Sequence, residues 1–480
     1  MRDILMVHSP LTEPERAEAS TRRAGPAAFY PWYVAGLMGC CYAVAFVDRA
    51  LIGVAAAPIQ WHLGLSDGQF GLLHGTAFVI LYCLCGLPMG WLADRVDRRA
   101  MIALGILFWT AMTALCGLAG SFAMFFLARI GVGLGEASLV PAGMSLLGDT
   151  MPGNRMARAA ALFLMGAAIG NAAALLAGGY LLTWLTETVP SSVPWIGTLA
   201  PWQALFVIGC LPGLVLAPLV MTIREPRRPP PAQMDRQGVA GALAHVRDHR
   251  GAYGFLAAAT SCSVMLAQAQ GAWMPLFYVR QFGLAPGASA MLVGTMFLAS
   301  APAGQLAGGF LTDRLQSLGI GGAQNLVLAI CLLLSLAPAS IFCLADRLGL
   351  SEAGYCLFNF LVSASTPSGL AGLQLLTPAR YRGLLTALLV SIVTLVGVGL
   401  GPAVVGLLTD HLFGDEQALG RSLLLVIMAA GIAGPLLAAA GRRPFARTAR
   451  LMSLAGCAAP HASPSAAYPD PASSARGSRQ

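Results

Sequence analysis

Twelve apolar windows of about 20 residues, separated by short polar segments, constrain this chain more than any other feature of it. They lie near Tyr33–Gln60, Gln69–Ala93, Ala100–Gly120, Phe122–Leu147, Ala157–Leu185 and Trp202–Thr222, then near Ala252–Tyr278, Ala288–Thr312, Asn325–Ala345, Ala353–Leu376, Leu384–Leu408 and Arg421–Ala440. Runs such as Ala100–Gly120 and Ser422–Ala440 far exceed the ~10-residue alternating strands of an outer-membrane barrel and suit helices crossing ~30 Å of hydrocarbon. With 57% hydrophobic and 10% charged residues, against about 25% charged in soluble domains, a water-soluble globular protein is excluded. The expected fold class is an all-α polytopic membrane protein, with 12 transmembrane helices in two six-helix bundles.

Polar segments set the expected divisions. Residues 1–29 read as a cytoplasmic tail, 30–223 as the first bundle, 224–250 as a cytoplasmic linker, 251–445 as the second bundle and 446–480 as a disordered tail rich in Ala, Ser and Pro. The linker holds Arg224, Arg227, Arg228 and Pro229-Pro230-Pro231 and cannot cross a membrane. With Pro10, Pro14, Arg22 and Arg23, the N-terminal tail has no cleavable signal pattern, so the first span is expected to act as the insertion signal.

The net charge is +8, and all 29 basic residues are arginine. With both termini cytoplasmic, 24 arginines fall on that side and only Arg280, Arg347 and Arg421 on the other, as the positive-inside rule requires of an inner-membrane protein. Arginines in short loops, rather than on one polar face, argue against nucleic acid. The 11 cysteines lie mostly in apolar spans, and Cys40-Cys41 and Cys83-Leu84-Cys85 lack the C-x-x-C spacing of a metal or redox site; they read as small buried residues.

A gapless internal repeat lies at an offset of 219 residues: Gly64-Leu65, Gly68, Leu73, Gly75-Thr76, Phe78, Leu87, Gly90, Leu92 and Asp94-Arg95 match Gly283-Leu284, Gly287, Leu292, Gly294-Thr295, Phe297, Leu306, Gly309, Leu311 and Asp313-Arg314, 12 identities in 32 positions. The second span of each half is therefore one structural unit, and parallel six-span repeats are an architecture in which two bundles rock around a central site.

After span 2 comes Gly90-Trp91-Leu92-Ala93-Asp94-Arg95-Val96-Asp97-Arg98-Arg99. Gly90 lets a neighbouring helix approach, and Asp94 can pair with an arginine or cap a facing helix when that side is closed. A basic loop that only enforces topology is the plain alternative; recurrence at Gly309–Arg314 favours a conformational latch. This signature resembles the major facilitator superfamily over residues 30–445. Phe46-Val47-Asp48-Arg49, Arg129-Ile130-Gly131-Val132-Gly133-Leu134-Gly135-Glu136-Ala137 and Gly148-Asp149-Thr150-Met151-Pro152 with Arg155 resemble its spinster-like branch. Relatives often open span 6 with Trp-Arg, where this chain has Trp202-Gln203. The resemblance implies a transporter with charged gates at Gly90, Asp94, Arg95, Arg98, Arg99, Asp149, Arg155, Asp313, Arg314, Arg380 and Arg382, and an amphipathic or lipid-like anion among the substrates.

Ionisable residues within spans are costly unless paired or wetted. Asp48 and Arg49 lie midway along span 1 and project ~100° apart, so they need not pair; Arg129 and Glu136, seven residues apart in span 4, share a face. One reading is a fixed ion-pair network between spans 1 and 4. The other is that Arg49 or Arg129 holds an anionic group while Glu136 or Asp48 exchanges a proton, and both can be true. Tyr82, His74, Gln268, Gln270, Trp273, Asn359 and Gln374 are further cavity candidates, each with inter-span hydrogen bonding as its alternative; Tyr82, Gln268, Trp273 and Gln374 are taken as substrate contacts. Glycines of spans 5 and 11 (Gly166, Gly170, Gly178-Gly179; Gly397, Gly401, Gly406) are expected at the interface between halves.

No Walker A loop, H-E-x-x-H, G-x-S-x-G or filter sequence is present, which argues against ATP drive, enzyme chemistry and a channel. The expectation is a monomeric, proton-coupled secondary transporter of a small organic solute, with no cofactor and the bilayer as its other partner. An uncoupled facilitator, an organic-anion symporter and a non-transporting sensor are the alternatives.

Overall fold

The computed structural model describes residues 26–93, 95–152, 155–188, 192–193, 197–225, 236–378 and 381–457. Among these are 12 helices long and apolar enough to cross a membrane: Phe29–Val54, Asp67–Gly86, Arg98–Gly117, Phe122–Thr150, Arg158–Thr188 and Pro201–Met221, then Arg250–Phe282, Pro286–Ser317, Ala323–Leu344, Leu348–Leu376, Leu384–Phe413 and Glu416–Met452, here spans 1 to 12. Both bundles and all twelve expected windows are present. Ser192–Val193 and Gly197–Thr198, between spans 5 and 6, pair antiparallel and are the only strands among the described residues. The end of the bundle carrying Arg98, Arg99 and Arg442 is called the arginine-rich end below, and the end carrying Arg280 the arginine-poor end.

Local chemistry explains the boundaries. Gly64 (φ +60°) and Gly283 (φ +68°) stop the helices that precede spans 2 and 8 in a left-handed turn, which accounts for their identity in the repeat. Ser66 accepts from the Gln69 amide while Gln69 reaches back to the Ser66 amide, a capping box opening span 2. Asp97 caps span 3 through the amides of Arg99 and Ala100.

Without a hydrophobic drive inside lipid, helices associate where small residues let backbones touch. Gly68 and Gly75 of span 2 lie against span 11, and the equivalent Gly287 and Gly294 of span 8 against span 5; an added Cβ would strike Asp410, Val398, Thr183 and Leu175 respectively. The repeat thus marks the two symmetry-related seams between halves. The glycines of spans 5 and 11 correct the expectation made for them. Gly166 and Gly170 pack on Gly39 and Ala43 of span 1, and Gly397 and Gly401 on Val264 and Met265 of span 7, inside their own halves; of the glycines expected at the interface, Gly179 and Gly406 meet the opposite half, at Gly287 and Asp67, as does Gly399, at Val79. Wide π-type turns at Leu72–Thr76, Ala174–Gly178 and Leu395–Leu400 interrupt the α-helices of spans 2, 5 and 11 at these seams.

Two divisions need revision. The linker contains a helix, Arg236–Asp248, laid against the start of span 11 with Gly241 against the Tyr381 hydroxyl. The tail begins later than residue 446, because the last helix continues to Cys457, anchored by Phe445 (1% exposed) packed with Tyr253 and Leu256 of span 7.

Candidate functional site

Arg49 of span 1 meets Glu136 of span 4: its Nε donates to Oε2 at 2.6 Å and Nη2 reaches the same oxygen at 2.5 Å. Neighbouring Asp48 makes no ion pair with Arg49, in keeping with the ~100° between adjacent helical residues. Arg129, two turns before Glu136, instead donates Nη1 at 3.5 Å to the Asp48 backbone carbonyl. Asp48 Oδ1, Arg129 Nε and Glu136 Oε1 are buried without a hydrogen-bond partner among the described residues. Unpaired polar atoms are expensive in a low-dielectric interior, and these three leave one donor and two acceptors of the cluster without a protein partner.

A cavity of about 90 Å³ lies beside it, lined by Arg49 and Arg129 on one side and Gln268, Gln270 and Tyr355 on the other. It is far below the ~300–1,000 Å³ of small-molecule pockets, so the halves are drawn together on the site. The Arg49 guanidinium lies 4.7 Å from the Phe46 ring, 4.4 Å from Phe78 and 5.1 Å from Tyr82, favourable cation–π distances. Phe78 and Phe297, equivalent in the repeat, both line the cavity. On the second half, Gln270 donates to Asn359 (3.0 Å) and Asn359 to Ser300 (2.8 Å), leaving Gln270 Oε1 unpartnered. Both ring nitrogens of His74, another lining residue, are also unpartnered.

Of the expected substrate contacts, Arg49, Arg129 and Gln268 line the cavity and Tyr82 stands behind them, stacked on Phe78. Trp273 does not: its indole donates to the Pro402 carbonyl at 3.0 Å and its ring meets Phe70, so it pegs span 7 to spans 2 and 11. Gln374 is also outside the lining, bonded to Thr386 at 3.2 Å. Polarity within an apolar window was their sequence signal, and it does not tell which face of a helix looks inward. Asn171, a lining residue, escaped notice for the same reason.

The gate residues expected from the sequence all lie at the arginine-rich end. At the arginine-poor end Arg280 of span 7 forks onto Asp67 of span 2 (Nη1 to Oδ2 2.7 Å, Nη2 to Oδ1 2.8 Å), and Gln60 donates to the same carboxylate at 2.7 Å. Asp410 of span 11 accepts the first amides of span 2, from Asp67 at 3.0 Å and Gly68 at 2.7 Å. A carboxylate on a helix N-terminus and a bidentate arginine pair together lock this end. Arg280 was visible as one of three arginines against the charge rule.

At the arginine-rich end, fully buried Arg98 donates to Glu225 (2.6 Å) and Asp149 (2.7 Å), tying spans 3, 4 and 6 of one half. Arg99 forks onto Asp97 and reaches the Ile223 carbonyl at 2.7 Å; hydrogen bonding by Arg99 holds the Asp97 carboxyl below the usual carboxylate range. Arg95 lies 3.8 Å over the Trp91 ring. Gly90 faces Pro141 of its own half, and the equivalent Gly309 faces open space. Arg155, Asp313, Arg314 and Arg382 are exposed, with Arg382 bonded to the Thr377 carbonyl. Asp94 and Arg380, two of the expected gate residues, lie outside the described residues.

Residues 38–402 match the family model described as Major Facilitator Superfamily. An MFS-type efflux pump of Mycolicibacterium smegmatis is 28% identical over 410 residues, 84% of this chain and 91% of that protein. A probable galactarate/D-glucarate transporter of Bacillus subtilis is 28% identical over 44% of this chain and 45% of its own length. Among solved structures, a bacterial homologue of the human lysosomal transporter spinster, in an inward-facing and occupied conformation, superposes with a TM-score of 0.70 at 26% identity, covering 89% of this chain and 96% of that one.

Proposed function

The chain belongs to the major facilitator superfamily, and from that premise we propose that it is a proton-coupled secondary transporter of the inner membrane, moving a small organic anion by alternating access. Its arginine-rich end and both termini face the cytoplasm. The Arg49–Glu136 pair, with Arg49 on the cavity wall and Glu136 buried behind it, carries this reading. A substrate carboxylate or phosphate entering the cavity competes for the Arg49 fork, with Arg129 one helix away. Once Arg49 turns to the substrate, Glu136 loses its counter-charge and takes up a proton, which lets the cavity occlude without a bare buried charge. Release of the anion on the other side returns Arg49 to Glu136 and expels the proton. The rings of Phe46, Phe78 and Phe297 favour an anion that also has an apolar portion.

Two experiments test this. A thermal-shift screen of sugar diacids and lysophospholipids on purified protein identifies the ligand, because specific binding raises apparent stability by mass action. In proteoliposomes with an imposed pH gradient, wild type is expected to accumulate that ligand and Glu136→Gln only to exchange it. Equal accumulation by both refutes coupling through Glu136, and uptake indifferent to the gradient in wild type leaves an uncoupled facilitator.

A further inference from the structure

We propose that the groove between spans 9 and 12 at the arginine-rich end is a binding site for an anionic phospholipid, separate from the central transport cavity. The groove encloses about 370 Å³; Leu326, Ala329, Ala438 and Ala439 form its apolar wall, and Arg442 and Arg443 stand at its mouth. Its shape suits an acyl chain running into the membrane beneath a phosphate at the interface, the arrangement in which basic pockets between helices select anionic head groups.

Three observations favour an anionic lipid over a neutral one. No acidic side chain lines the groove; Asp248 lines a different cavity, on the other side of Arg443. Arg443 has no hydrogen-bond or ion-pair partner among the described residues, and Arg442 uses only Nε, on the Gly321 carbonyl at 3.1 Å. Finally, Asn325, 1% exposed, lines the groove with its amide nitrogen on the Ala438 carbonyl at 3.1 Å and its Oδ1 unpartnered, an acceptor suited to a head-group or glycerol hydroxyl. A buried acceptor with no donor, beside two guanidinium groups that have no carboxylate partner among the described residues, is complementary to a hydroxyl-bearing phosphodiester.

The test quantifies phospholipid retained by the full chain after detergent exchange from an equimolar mixture of phosphatidylglycerol and phosphatidylcholine with matched chains. Wild type is expected to retain phosphatidylglycerol with a preference on the order of ten-fold, and Arg442→Gln/Arg443→Gln to fall near parity. Arg421→Gln, at the arginine-poor end, is expected to keep the preference. Ala329→Phe fills the groove while sparing both charges and is expected to lose the retained lipid; should the double variant fail to fold, this variant decides. No preference in wild type, a preference that survives the double variant or Ala329→Phe, or full displacement by inorganic phosphate at matched ionic strength overturns the proposal, the last because the site would then read free phosphate.

Discussion

Asp410→Asn is expected to loosen the closed arginine-poor end without disturbing either bundle. The carboxylate uses one oxygen for the Asp67 amide and the other for the Gly68 amide. Asparagine keeps one acceptor and turns an NH2 toward the second amide, so one hydrogen bond to a charged group, about 1.5–3 kcal/mol, is lost. The favourable term of a negative charge at a helix N-terminus, about 0.3–1 kcal/mol, goes with it. Opening returns these groups to water, which trims the sum to roughly 2 kcal/mol, a shift of about 30-fold toward the open form. A closed state populated about 99:1 would fall to roughly 3:1. Pulsed electron paramagnetic resonance between labels at the exposed positions Trp61 and Leu412, which lie on opposite halves, reads that population directly. A distance distribution identical to that of the parent refutes the idea that Asp410 holds the halves together.

Gly75→Ala, whose Cβ would collide with the Val398 carbonyl, is expected to lower stability by about 1–3 kcal/mol in a thermal-shift assay, whereas Gly309→Ala, with nothing within 4 Å, should raise it by up to about 1 kcal/mol. Arg98→Met should cost about 2 kcal/mol, less than a fully buried pair because Asp149 and Glu225 stay 35% and 20% exposed; an unchanged melting temperature would show the clamp to be idle. Asp97, with its folded pKa below the ordinary value of about 3.9, contributes stability that is complete above that value and is lost as pH falls through the folded pKa. Melting curves between pH 7 and 5 should therefore be blind to Asp97→Asn in slope, and only at more acid pH should the variant decline less steeply than the parent.

Hydropathy is a local, additive property, so the spans and the two halves were legible along the chain, while the linker helix Arg236–Asp248 and the extension of the last helix to Cys457, which lie outside apolar runs, were not. The 219-residue repeat was legible too, although its meaning was not: the sequence shows Gly68 matching Gly287, and only packing shows each to be where one half touches the other. Within the site, the sequence nominated Asp48, Arg49, Arg129 and Glu136 because charge in an apolar run is conspicuous. It was blind to Asp67 and Asp410, whose positions at span ends look like ordinary loop polarity.

The amino-acid sequence by itself therefore determined that this is a twelve-span, two-bundle membrane protein, since burial in lipid depends only on which side chains follow one another. Tertiary structure alone decided that Arg49 meets Glu136 across 87 positions and that Arg280 meets Asp67 across 213. Such pairings follow from where glycine lets two helices cross, and a crossing joins residues that no local pattern connects.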